Sequence, residues 1–121
     1  MSRALILFAH GARDPEWARP LQRLAEAVRA LDTATPVLTA FLELMEPGLV
    51  AAAEQAIQGG ALTLVVVPVF LAQGGHVRRD VPKMLDEIRA QHPHVQIELR
   101  LAVGEAQAVI DAMARMIAHD I

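Results

Sequence analysis

A chain of 121 residues, 54% apolar and 21% charged, can build one packed core but not two, and is too apolar to be disordered. A net charge of −3 with only 3% aromatic residues argues against nucleic-acid and anionic-membrane partners, which call for basic faces and, on single strands, stacking platforms. With no cysteine, a disulfide scaffold, a thiolate metal site and a cysteine nucleophile are all excluded.

The first element is ALILFA, residues 4–9, a continuous apolar run of the kind buried on both faces of a parallel sheet. It is too short for a signal-peptide core. HGARDP follows, and Asp14-Pro15 reads as a helix start, with a capping side chain and then proline in the first turn. Leu21, Leu24, Ala25, Val28 and Leu31 recur at helical spacing and predict a helix over Trp17–Leu31. PVLTAFLEL (36–44) predicts a second strand. MEPGL opens a second helix, with Glu46 as cap and Pro47 in the first turn, that runs through AAAEQAIQ and stops at Gly59-Gly60.

ALTLVVVPVF (61–70) is the most hydrophobic segment and is expected at the centre of the sheet. The longest apolar stretch, Ala61–Ala72, is broken by Thr63 and Pro68 and is shorter than the ~20 residues of a membrane span, so a soluble, cytoplasmic protein is expected. LAQGGHVRRD (71–80) reads as a polar loop, Val81–Gln91 as a third helix and VQIELRLA (95–102) as a fourth strand. Gly104-Glu105 then leads into a last helix ending near Ala118. The order βαβαβαβα predicts an α/β fold: one doubly wound, mainly parallel four-stranded sheet flanked by helices, in a single domain spanning residues 1–121.

Such a sheet binds ligands at the carboxyl ends of its strands, near the point where strand order reverses. His10 follows the first strand, Glu43 ends the second and His76 lies in the loop after the third, so all three belong to that edge. Two imidazoles and a carboxylate suit a borderline divalent ion such as Co2+, Fe2+, Ni2+ or zinc, and three protein ligands leave positions open. Arg13, Arg78 and Arg79 stand beside the histidines and can form an anion-binding rim; the alternative is that Arg13 pairs with Asp14 or Glu16 and the others face solvent. Gly74 and Gly75 permit close backbone approach or positive φ, or mark only a turn. Met45 lies two residues past Glu43, near the expected cleft. Met84, Met113 and Met116 read as packing residues, and His92, His94 and His119 as exposed residues away from that edge.

FAHGARDP, AFLELMEP and VPVFLAQGGHVRRDVP together resemble the short form of the CbiX/SirB-type sirohydrochlorin chelatases, over nearly the whole chain. The third motif is the most specific. The first reads HGSR in that family and HGAR here, Ala12 removing a hydroxyl but leaving the histidine. The resemblance implies a class II chelatase fold and insertion of Co2+ or Fe2+ into sirohydrochlorin, toward cobalamin or siroheme. It makes His10, His76 and Glu43 the metal-binding positions; Arg13, Met45, Gly74, Gly75 and Arg78, by their place beside these, are expected to bind the tetrapyrrole. It implies a homodimer, because the family's long members carry two such halves and this chain carries one. The metal is then a substrate, and no organic cofactor is implied.

Metallation must strip pyrrole protons as the ion enters, and an imidazole, with an ordinary pKa of ~6.5, can present the ion and accept a proton. Two other readings compete. A histidine phosphatase would need Arg-His-Gly, and Ala9 stands where that arginine belongs. A nonenzymatic metal carrier could use the same ligands without turnover.

Overall fold

The computed structural model describes residues 2–119 apart from Gln73, with backbone alone at His76. Four strands, β1 (Arg3–Ala9), β2 (Val37–Phe41), β3 (Thr63–Pro68) and β4 (Gln96–Leu99), form one parallel sheet in the order β2-β1-β3-β4. β1 pairs with β2 from Leu5↔Val37 to Ala9↔Phe41, and with β3 from Arg3↔Thr63 to Phe8↔Pro68. β3 is thus interior, as its composition predicts, and β1 lies beside it. Four helices connect and follow the strands: α1 (Arg19–Leu31), α2 (Leu49–Gln58), α3 (Gly75–Gln91) and α4 (Gln107–His119).

The two sheet faces carry separate apolar clusters. Ala4, Ile6 and Phe8 of β1 and Leu64 and Val66 of β3 point to one face, under α2 (Leu49, Ala52, Ala53) and α3 (Val77, Val81, Leu85, Ile88). Leu7, Val37 and Phe41 point to the other, under α1 (Leu21, Ala25) and Ala18 before it. The expected helices on both faces are there, except that α4 contributes no buried residue.

Several boundaries move, each for a local reason. The Asp14 side chain accepts the Glu16 N–H at 3.0 Å, but it caps a short 3-10 turn (Pro15–Ala18), and α1 proper starts at Arg19. β2 ends at Phe41, so Glu43 lies beyond the strand in a bend. α2 begins at Leu49 with Gly48 at its cap; Glu46 and Pro47, joined by a cis peptide, precede the helix instead of opening it. The largest correction is α3, which starts at Gly75 and not Val81, placing His76 in a first helical turn. Pro82 sits inside α3, on its exposed side. The Arg78 carbonyl that loses its partner there belongs to an equally exposed residue. Val77, Val81, Leu85 and Ile88, all nearly fully buried, carry one apolar stripe straight through the proline.

The amino-terminal edge of the sheet is tied down by polar contacts. His92, at the end of α3, is half-buried, and its Nε2 lies 2.7 Å from Glu54 Oε1 on α2, so the reading of His92 as an exposed turn residue fails. The Arg29 guanidinium donates to the Val37 carbonyl at 2.6 Å. Asp32 accepts from the Thr35 hydroxyl and from the Ala34 and Thr35 N–H groups, and these bonds hold its carboxyl below the usual range.

Candidate metal centre

β1 and β3 are adjacent in the sheet, yet the chain leaves β1 toward α1 on one face and β3 toward α3 on the other. This is the reversal point of the strand order, where departing loops diverge and leave a crevice. His10 stands at its β1 side, exposed, with its ring 4.6 Å (centroid to centroid, tilted 45°) from the buried ring of Phe70 beyond β3. Phe70 in turn packs edge-on against Phe8 at 5.9 Å. The imidazole therefore has an apolar floor that belongs to the core.

The β1–β2 ladder runs on past both strands. Leu42 N–H donates to the Ala9 carbonyl at 2.8 Å and Glu43 N–H to the His10 carbonyl at 3.1 Å, so residues 10 and 43 are fixed side by side through their backbones. Gly11 permits this approach: its φ is +88°, and a Cβ there would fall on the Glu43 carbonyl oxygen. Leu44 then takes φ +67°, unusual for a branched side chain, to turn the bend back, with its side chain exposed.

On the β3 side, Gly104 N–H donates to the Phe70 carbonyl at 2.9 Å, and a Cβ on Gly104 would enter the Leu71 backbone. The segment leading to His76 is thus held from behind by a glycine after β4. Gly74 and Gly75 are not needed for a left-handed backbone or for packing within the chain. Neither has positive φ, a Cβ on Gly74 would meet nothing within 4 Å, and one on Gly75 would meet only the Arg79 side chain at 3.8 Å. Gly74 is the α3 cap and Gly48 the α2 cap, so neither helix has a capping side chain on its first-turn N–H groups, which face this same edge.

The remaining expected residues divide. Arg13 is exposed, and among the described residues it forms no ion pair with Asp14 or Glu16; Glu16 pairs with Arg19 at 3.3 Å instead. Arg78 is exposed on the first turns of α3. Met45 is half-buried and packs against the α1-side cluster, which makes it first a packing residue. The His76 side chain lies outside the described residues, and among those described no three His, Asp or Glu side chains gather as a metal cage. Phe70, Gly11 and Gly104 were missed as site residues. Phe70 had a visible signal, as one of three phenylalanines, ending the most apolar strand.

The CbiX family profile matches residues 4–120. The chain belongs to the CbiX family. It is 42% identical over 82 residues to the sirohydrochlorin cobaltochelatase of Methanopyrus kandleri, a match covering 68% of this chain and 57% of that protein. The chain thus spans little more than half the length of this CbiX relative. The crystal structure of a CbiX protein from Marinobacter aquaeolei superposes with a TM-score of 0.85 at 32% identity, covering 98% of this chain and 96% of the other. The sirohydrochlorin chelatase SirB from Bacillus subtilis subspecies spizizenii, solved in complex with cobalt, superposes at 0.83 with 26% identity, over 98% of this chain and 51% of SirB.

Proposed function

We propose that this CbiX-family chain is a chelatase that inserts a divalent ion, Co2+ or Fe2+, into sirohydrochlorin or a close tetrapyrrole, acting in the cytoplasm as a homodimer. The observation that carries the reading is His10: an exposed imidazole on a fixed apolar floor, at the crevice between β1 and β3, backbone-locked to Glu43 and at the same sheet edge as the helical turn that holds His76. The names of the M. kandleri and SirB relatives supply the substrate class. Ni2+ suits the same donor set.

In this reading His10 and His76 hold the incoming ion and Glu43 offsets part of its charge. As the ion passes to the macrocycle, the freed imidazoles accept the pyrrole protons. The substrate is a flat apolar ring edged with carboxylates. Exposed Leu44 and Leu71 give this edge apolar surface for the ring. Arg13, Arg78 and the uncapped first turns of α2 and α3 offer positive partners to the carboxylates. Met45 backs the Glu43 bend, and side-chain-free Gly74 and Gly75 let the ring approach the start of α3. One open sheet edge supplies one wall, and a second copy supplies the other.

The test is metal insertion followed by the absorbance change of sirohydrochlorin. His10→Ala and His76→Ala should each lower the rate about 100-fold or more, the scale of a lost acid–base group. Full activity in either variant removes that residue from the mechanism. Metal binding by the wild-type chain with no spectral change on adding sirohydrochlorin would leave a metal-delivery protein instead.

A further inference from the structure

The chain has one tryptophan, three phenylalanines and no tyrosine. Phe8, Phe41 and Phe70 are buried in the core, whereas Trp17 is 60% exposed. Its backbone is nevertheless fixed. Trp17 sits in the 3-10 turn Pro15–Ala18, its N–H donates to the Asp14 carbonyl at 3.0 Å, and the next residue, Ala18, is buried in the α1-side cluster. Large rigid rings held out in water in this way are enriched where a surface binds something.

Trp17 forms one side of a cleft completed by Ala9, Pro20, Leu21 and Val69. Phe8 and Pro68 are register partners and the Val69 N–H donates to the Phe8 carbonyl, so Ala9 and Val69 are neighbours one step further along. One step beyond them stand His10 and Phe70, whose rings touch. Successive residues of a strand face opposite ways, so the cleft opens on the α1 side of the strand tips and the His10–Phe70 pair lies on the α3 side. Each step is only ~3.3 Å. A flat ring laid across these tips to reach His10 therefore reaches the cleft as well. No charged side chain lines it, and Glu16 and Arg19, on either side of Trp17, pair with each other at 3.3 Å. A carboxylate placed in the cleft would lose water and gain no partner there. Its volume, about 220 Å³, is below the ~300 Å³ of small whole-ligand sites, so it takes a substituent and not a macrocycle.

Sirohydrochlorin is edged by eight carboxylate arms, and its only other substituents are the methyl groups of its two reduced rings. We propose that Trp17 and this cleft receive a methyl-bearing reduced ring of the substrate. The cleft thereby selects methylated tetrapyrroles over the uroporphyrin type, which offers it only carboxylate arms. Trp17 is then a specificity-determining residue, separate from the residues that hold the metal. The inference rests on the tetrapyrrole reading of the site.

The test measures binding of metal-free sirohydrochlorin and of uroporphyrin by equilibrium dialysis, beside metal insertion into sirohydrochlorin. Trp17→Ala should weaken sirohydrochlorin binding and raise its KM about 10-fold, the scale of one apolar group in a pocket. Its kcat should stay within about twofold, since the metal ligands are untouched, and its far-ultraviolet spectrum should be unchanged. Trp17→Phe should recover most of the affinity. Uroporphyrin should lose no affinity in Trp17→Ala and should gain some in Trp17→Lys, which gives a carboxylate arm its cation. Equal losses for both rings, or an unchanged KM in Trp17→Ala, would overturn the selection. A lower mass for Trp17→Ala by light scattering would assign the indole to a contact between copies and overturn it too. A wild-type chain that binds sirohydrochlorin through Trp17 but inserts no metal would overturn the chelatase reading and leave the cleft standing. A wild-type chain that binds no sirohydrochlorin overturns both.

Discussion

At the scale of single residues, the site depends on glycines as much as on ligands. Gly11 has no room for a side chain and a backbone that L residues resist, and it stands between the two residues it brings together, His10 and Glu43. Gly11→Ala should therefore destabilise the fold by at least ~1–3 kcal/mol, the cost of a strained backbone position. It should also lower metal insertion well beyond what the residual fold explains, read as kcat per folded molecule by circular dichroism and the absorbance assay. That positions 10, 43 and 76 come to one edge of the sheet was legible in the sequence, because alternating strands and helices bring the carboxyl ends of parallel strands together. The His10–Phe70 ring contact was not, because it depends on how far the chain after β3 travels before α3 begins.

At the scale of elements, the sequence showed every strand and helix but misjudged where α3 starts. LAQGGHVRRD reads as a polar loop, and that polarity hides the apolar stripe that begins at Val77. The consequence is chemical: His76 belongs to a helix turn, whose position is set by the packing of α3 and not by a free loop. The same helix is anchored at its far end by the His92–Glu54 contact to α2. His92→Ala should lower stability by about 1 kcal/mol, the ordinary worth of such a bond, visible as a lower Tm. At 25 °C metal insertion should be unchanged, since this contact lies at the opposite end of the sheet from His10.

At the scale of the whole molecule, the layered sheet with helices on both faces follows directly from βαβ alternation and short connections. The fate of α4 does not, because an amphipathic pattern shows that a helix has an apolar side without showing whose surface it meets. If two chains complete each other, folding and association are coupled, and Tm should rise with protein concentration over a hundredfold range by calorimetry. A concentration-independent Tm would mean that each chain is stable alone. The contacts that hold the helices and turns, His92–Glu54, Arg29–Val37 and the Asp32 turn, gather at one end of the strands, and the candidate chemistry gathers at the other. Exposed side chains around the candidate site, such as Glu43 and Arg13, can therefore be exchanged without loosening those anchors, whereas Gly11 and Phe70, which tie the site to the core, cannot.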